Sequence, residues 1–281
     1  MGQSRVFASD LLAGQVALVT GGGTGLGKAA ATELAACGAR VVIAGRRAEK
    51  LDAVADELGA DVCSTVVGDI RKVEDAERIV ETPLERHGRL DFVLNNAGGQ
   101  YFVPAEAIEA KGWRAVWALN VEATLRMTRL AAERALIPGG GGMIVNTSHS
   151  PHHGLPGMTH SSAARAALET ASADLAAEWA SSGVGVVTVA AGHFDTEALR
   201  KYPEPVRRSV ATTVPLGRLG RPEEHGWLVA LLASPVGRAL SGSVVTLDGA
   251  RDNWFGPWPP AALTADTGEV PTEERRSKPV T

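Results

Sequence analysis

The chain has 281 residues, 44% of them hydrophobic and 21% charged, and carries a formal net charge of −4. That is enough apolar material for one large α/β core, and the slight acidity excludes a general nucleic-acid-binding surface. Cys37 and Cys63 are the only cysteines, too few for a disulfide framework or a zinc site, which points to a reduced setting. The opening stretch MGQSRVFASDLLAGQ lacks an apolar signal core, and Val6 stands where a myristoylation signal wants Ser or Thr. No run of about eighteen apolar residues occurs anywhere, so no membrane span is expected. The expectation is a cytoplasmic protein with no nucleic-acid or membrane partner that acts on a small molecule.

Short β-branched runs follow at 15–20, 39–45, 61–67, 90–95, 142–147, 184–190 and 242–247. All are almost continuously apolar, the pattern of parallel strands covered on both faces. Helical stretches separate them, and Gly38 is placed to end the first helix. This alternation predicts right-handed βαβ crossovers and a Rossmann-like, doubly wound α/β fold. Its parallel seven-stranded sheet carries helices on both faces, in a single domain over residues 1–255. Residues 193–224, with proline and mixed charge, interrupt the pattern and read as a mobile lid over a substrate. The tail 256–281 is Pro-rich and polar, while Trp254, Phe255 and Trp258 are expected to dock on the body or on a neighbouring subunit.

TGGGTGLG (20–27) directly follows the first strand and opens the first helix. Gly21, Gly25 and Gly27 permit a tight turn and close approach of backbone to a pyrophosphate, and the helix start, with Thr24 and Leu26, supplies unpaired N–H donors. A purely structural glycine turn is the plainer reading of such a motif, but its place after the first strand favours a dinucleotide. The second strand ends in Gly45-Arg46-Arg47, where a carboxylate would bind the ribose 2′-hydroxyl of NAD. Guanidinium groups match a 2′-phosphate in charge and geometry, which predicts NADP(H). Two solvated loop arginines are the alternative.

NNAG (95–98) follows the fourth strand, Asp69 and Ile70 follow the third, and Asn120 stands in the middle helix. Together with the glycine pattern these resemble the short-chain dehydrogenase/reductase family over about residues 14–250. A narrower likeness lies in NNAGGQYFVPAEAIEAKGWRAVWALN and HSSAARAAL. It points to the branch with trans-2-enoyl-CoA reductases and citronellol/citronellal dehydrogenase-like proteins. The resemblance implies that Asp69 and Ile70 meet the adenine side, that Asn96, Ala97 and Gly98 line the cofactor, and that Gly192 and Thr196 hold its nicotinamide end. It also implies a homodimer or homotetramer built through long helices at 104–137 and 161–182.

That family pairs a serine after the fifth strand with Tyr-x-x-x-Lys on the next helix. Here the helix reads Ser161-x-x-x-Arg165, a spacing that keeps both side chains on one face. The serine position falls on Ser148 by spacing or on His149 by counting along the strand, and both stay open. Tyr101 and Tyr202 are the only tyrosines, and neither occupies the expected place. An unassisted serine is a poor base and Arg165 stays protonated, so carbonyl chemistry would draw on His149, His152, His153, His160 or His193. Reduction of an enone needs donors that stabilise an enolate oxygen; Ser148 and Ser161 offer them, while Arg165 holds the cofactor ribose. The expected activity is therefore NADP(H)-dependent reduction of the C=C bond of a 2-enoyl thioester or related enone, with Asn120, Ser148, His149, Ser161 and Arg165 as the catalytic set. An alcohol or aldehyde dehydrogenase, or a ketoreductase, with a histidine proton carrier is the alternative, and a catalytically silent NADP(H)-binding protein is the third reading. The histidine-rich stretch at 148–160 has neither helical spacing nor a carboxylate within it, and no metal is expected.

Overall fold

Seven strands form where the apolar runs lie: β1 Val16–Thr20, β2 Arg40–Gly45, β3 Cys63–Val67, β4 Phe92–Asn95, β5 Gly142–His149, β6 Val184–Ala191 and β7 Val244–Leu247. The helices between them are α1 Gly25–Ala36, α2 Ala48–Leu58, α3 Val73–His87, α4 Ala110–Trp117, α5 Thr124–Ala131, α6 Thr159–Trp179, α7 Glu197–Arg200, α8 Glu204–Thr212 and α9 Pro222–Ala233. This computed structural model describes residues 2–150, 152, 154–200 and 204–254. Tyr202, His153, Phe255, Trp258 and the 256–281 tail lie outside the described residues, whereas Trp254 is half-buried.

All strand pairs are parallel and the sheet runs β3-β2-β1-β4-β5-β6-β7. The chain winds outward from β1 in one direction and then restarts at β4 in the other. A crevice opens beyond the carboxyl ends of β1 and β4, the usual ligand site of such sheets. Alternation within β1 shows both faces covered: Ala17 and Val19 join the core under α1, α2 and α9, while Leu18 joins the core under α3 and α5. Leu18, Leu34, Ile43, Leu94 and Ile144 are wholly buried, each such burial being favourable by about 1.5–3 kcal/mol.

β5 runs two residues beyond its apolar stretch, because Ser148 and His149 pair with Ala190 and Ala191 of an equally long β6. Beneath these strand ends a buried polar knot ties four elements: Asn95 Nδ2 donates to Asn146 Oδ1 at 2.9 Å and to Thr128 Oγ1 at 3.0 Å, and Asn146 Nδ2 donates to Ser172 Oγ at 2.9 Å. Each buried polar atom so paired avoids a desolvation penalty of about 1–3 kcal/mol.

The long middle helix starts at Ala110, after a single 3-10 turn at Ala105–Ala107, and continues to Leu136. It widens twice into π-helical turns, at Ala118–Ala123 and Ala132–Leu136. The stretch expected as a lid contributes α7 and α8, but Pro222 already begins α9, which packs on α1 with Gly226 facing the Ala29 carbonyl. Its ends are stitched together, Asp195 N donating to Gly220 O and Gly220 N to His193 O. No helix among the described residues is long and apolar enough to cross a membrane.

Candidate active site

At the end of β1 the backbone must turn into α1 without side chains in the way. Gly21 and Gly25 sit at φ +69° and +55°, the left-handed region that glycine enters freely. At Gly27 the constraint is contact: a Cβ would lie 2.3 Å from the Gly21 carbonyl oxygen and 2.6 Å from Asn96 Nδ2. Thr24 caps α1 in extended backbone but its side chain makes no capping hydrogen bond, which leaves the first N–H groups of the helix without a cap from that side chain. Thr20 Oγ1 fastens the neighbouring strand end, accepting from the N–H groups of Asn96 and Ala97, both at 3.1 Å. This cradle of bare backbone and helix dipole fits a dinucleotide pyrophosphate.

At the outer end of the same crevice, Arg46 and Arg47 are exposed just past β2. The Asp69 carboxylate takes a two-pronged hydrogen bond from Arg71, Nε to Oδ1 at 2.9 Å and Nη2 to Oδ2 at 2.5 Å. Arg71 chiefly, with the more distant Arg46 adding, holds that carboxyl down to about 2. Ile70 beside it is buried.

A cavity of about 420 Å³ joins the glycine turn at Thr24, Gly25 and Leu26 to the ends of β4, β5 and β6. Asn96, Gly98, Ser148, His149, Arg165, Gly192 and Thr196 all line it, so the fold gathers residues that the sequence scatters over a hundred positions. Arg165 comes from α6 and is buried; its Nη1 donates to Thr147 O at 2.5 Å and its Nε has no partner among the described residues. Burial pulls the guanidinium down to about 10, against the Glu169 carboxylate one turn on, and it remains a cation at neutral pH. Gly98 threads between two side chains, since a Cβ there would meet Arg165 Nη2 at 2.6 Å and Asn120 Oδ1 at 3.0 Å.

Asn120 is fully buried in the first π-helical turn and grips Gly99 twice, accepting from its N–H at 3.1 Å and donating to its carbonyl at 2.8 Å. Ser148 donates its hydroxyl to Glu169. His149 lies at the β5 end, and burial, assisted by the Arg165, His193 and His152 charges, pushes it down to about 4, so its ring is neutral at pH 7. His193 is pushed down too, by burial first and then by Arg251, with Asp248 opposing.

Two expected residues are placed apart from the cavity wall. The Ser161 hydroxyl is wholly buried without a partner among the described residues, and Met158 and Arg165 form the wall at that level. His160 is buried in an aromatic cluster, 4.6 Å from the Tyr101 ring and 6.2 Å from the Trp113 ring. Three carboxylates went unread in the sequence. Glu169 shares a helix face with Arg165, a spacing of four that was there to be seen; Asp248 and Asp252 follow β7 and carry no local signal. No group of three His, Cys, Asp or Glu side chains among the described residues is arranged to hold a metal ion.

Residues 21–250 match the family model described as Enoyl-(Acyl carrier protein) reductase. The chain is 33% identical over 251 residues to a probable 2,4-dienoyl-CoA reductase [(2E)-enoyl-CoA-producing] of Bacillus subtilis, covering 86% of this chain and 97% of the relative. It is 34% identical over 266 residues to a galactitol 2-dehydrogenase (L-tagatose-forming) of Cereibacter sphaeroides, covering 90% and 100%. Among solved structures, a citronellol catabolism dehydrogenase of Pseudomonas aeruginosa PAO1 superposes with a TM-score of 0.79 at 35% identity, covering 88% of this chain and 98% of that one. The bare glycine turn at the β1–β4 crevice and these likenesses, spread over nearly the same residues, lead to one assignment: the chain belongs to the short-chain dehydrogenase/reductase family, oxidoreductases that work with a nicotinamide cofactor.

Proposed function

We propose that the protein is an NADP(H)-dependent reductase that saturates the C=C bond of a 2-enoyl thioester or related enone. The observation that carries this reading is the charge state of the cavity wall, where a buried Arg165 cation stands beside a His149 ring that is neutral at pH 7. Reducing a ketone demands an acid that protonates oxygen as hydride arrives, and neither group is a competent acid near neutrality. Reducing an enone places negative charge on an enolate oxygen instead, which a fixed cation and oriented donors stabilise.

Gly21, Thr24, Gly25, Leu26 and Gly27 would hold the pyrophosphate, Asp69 and Ile70 the adenine side, and Gly192 and Thr196 the nicotinamide end, with Asn96, Ala97 and Gly98 along the cofactor. NADPH supplies the hydride when bound. Arg165 orients the ribose and contributes positive potential, Asn120 fixes the loop at Gly99, and Ser148 offers its hydroxyl at the reacting end. Ser161 backs the wall from beneath Met158. The described residues of the 193–224 stretch would cover the substrate, Leu199 and Val210 joining Phe102 and Leu155 to give that end of the cavity an apolar lining suited to an acyl chain. The Bacillus subtilis relative, named as a dienoyl-CoA reductase, supports the same chemistry. Buried free thiols at Cys37 and Cys63 suit a reducing cytoplasm, and half-exposed Trp113 and Trp117 on α4 suit a homodimer or homotetramer.

Arg46 and Arg47 select the cofactor in this reading. Neither pairs with a carboxylate among the described residues, so both are available to a 2′-phosphate. Changing both to Ala should weaken NADPH binding about a hundredfold and NADH binding no more than about threefold, read by fluorescence titration. Equal losses would return the two arginines to the role of solvated loop residues.

The relatives named galactitol 2-dehydrogenase and citronellol catabolism dehydrogenase favour a second reading, oxidation of an alcohol or reduction of its carbonyl; in this chain a histidine would then have to carry the proton. NADPH consumption against trans-2-enoyl-CoA thioesters beside matched ketones and aldehydes decides between them. The expected result is turnover with the thioesters; turnover with carbonyls alone hands the site to the second reading.

A further inference from the structure

Behind the Ser148 wall stands a row of groups to which the reading above gives no task. His152 is gripped by Asp252, from the turn after β7: its backbone N–H donates to Oδ1 at 2.6 Å, and its ring Nδ1 lies 2.5 Å from Oδ2. The other ring nitrogen, Nε2, faces Glu169 Oε1 at 3.6 Å. Glu169 in turn accepts the Ser148 hydroxyl, and Ser148 lines the cavity. The row therefore runs from solvent, where the His152 side chain keeps 24% of its surface, to the buried reacting end.

A carboxylate against Nδ1 fixes that nitrogen as the N–H, which leaves Nε2 to gain and lose a proton. Adding hydride to an enone leaves an enolate that takes up one proton per turnover. The wall is a poor source of one, because His149 is neutral, burial pushes His193 down as well, and Arg165 keeps its proton far above pH 7.

We propose that His152, oriented by Asp252, is the proton entry of this site, passing a solvent proton through Glu169 to Ser148, which delivers it to the substrate. The proposal rests on the enone reading. The imidazolium Nε2–H first protonates the Glu169 carboxylate. As the Ser148 hydroxyl turns to the substrate and its proton joins the enolate, that carboxyl proton moves to the Ser148 oxygen, Glu169 returns to a carboxylate and water reprotonates Nε2. No electrons travel this route, since both electrons of the reduction arrive with the hydride. The 3.6 Å gap between Nε2 and Glu169 exceeds a hydrogen bond, and the transfer requires it to shorten by a movement of the Glu169 side chain. Among the described residues, three titratable groups face His152: Glu169 from α6, Asp252 from beyond β7, and His149 from its own strand end. Ser148 is the catalytic residue here; Glu169, His152 and Asp252 act through it.

The test compares the whole protein with His152→Ala, Glu169→Gln and Asp252→Asn, using whichever substrate of the panel the unaltered protein consumes fastest. His152→Ala should lower kcat about a hundredfold, with added imidazole restoring at least about tenfold of it, while NADPH affinity stays within about twofold. Glu169→Gln should fall as far and gain nothing from imidazole. A His152→Ala kcat within about threefold of the unaltered protein, or a loss that imidazole does not relieve, overturns the route. Should the fastest substrate be a ketone, the enone reading fails while the same variants still decide the route, because carbonyl reduction also takes up one proton. A turnover-free check is 15N NMR of the neutral His152 ring: the proton should sit on Nδ1 and move to Nε2 in Asp252→Asn. An Nε2–H ring in the unaltered protein overturns the proposal even if no substrate is consumed.

Discussion

Arg165→Met should lower turnover about a thousandfold while leaving the melting temperature unchanged or slightly raised. The activity loss follows from removing the one buried cation of the cavity wall, which in the proposed mechanism both orients the cofactor ribose and stabilises the enolate. The stability result follows from the same burial. The guanidinium is desolvated, its Nε has no partner among the described residues, and its firm contact is one hydrogen bond to the Thr147 carbonyl. Replacing a poorly compensated buried charge with an apolar side chain of similar length is often neutral or stabilising. Arg165→Lys keeps the charge but loses the planar fork, and should recover about a tenth of the original rate. Calorimetry beside a steady-state assay checks both halves. A melting temperature that drops by many degrees with Arg165→Met would show that the arginine is chiefly structural.

Gly27→Ala is the second large effect, and it should abolish measurable NADPH binding in a fluorescence titration. The added methyl must displace either the Gly21 carbonyl or the Asn96 side chain, at 2.3 and 2.6 Å. Asn96 is tied to Thr20, its Nδ2 donating to the Thr20 carbonyl at 3.2 Å, so yielding there loosens the β1–β4 junction as well. The far-ultraviolet circular dichroism should stay native, since the core under α1 is built from Ala30, Ala31, Leu34 and Ala35 on its other turns. Retained affinity within about threefold would mean that the pyrophosphate does not lie on this turn.

What could be read ahead of the fold divides along physical lines. Strands covered on both faces announce themselves as continuous apolar runs, and all seven were visible with their parallel pairing. The end of β5 was not, because Ser148 and His149 are polar and their strand character comes from pairing with β6, a partner distant in sequence. The glycine turn was legible since only one residue type tolerates such contacts. The carboxylates around His152 were not. Its own stretch contains none, and Asp252 reaches it from 100 residues away. Ser161 shows the opposite limit: the four-residue spacing put it on the Arg165 face, yet spacing alone does not say how deep along that face the cavity reaches.

The π-helical turn at Ala118–Ala123 bears on how this protein can be recombined with its relatives. Such a turn accommodates a residue more than α winding would, and Asn120 sits inside it, aimed at Gly99. Removing one residue between Ala118 and Ala123 would let the helix relax to ordinary winding, the flanking turns keeping their faces while Asn120 loses its aim at Gly99. In chimaeras, then, the middle helix is exchangeable only as a block of conserved length, with its crossover points placed before Ala110 or after Leu136.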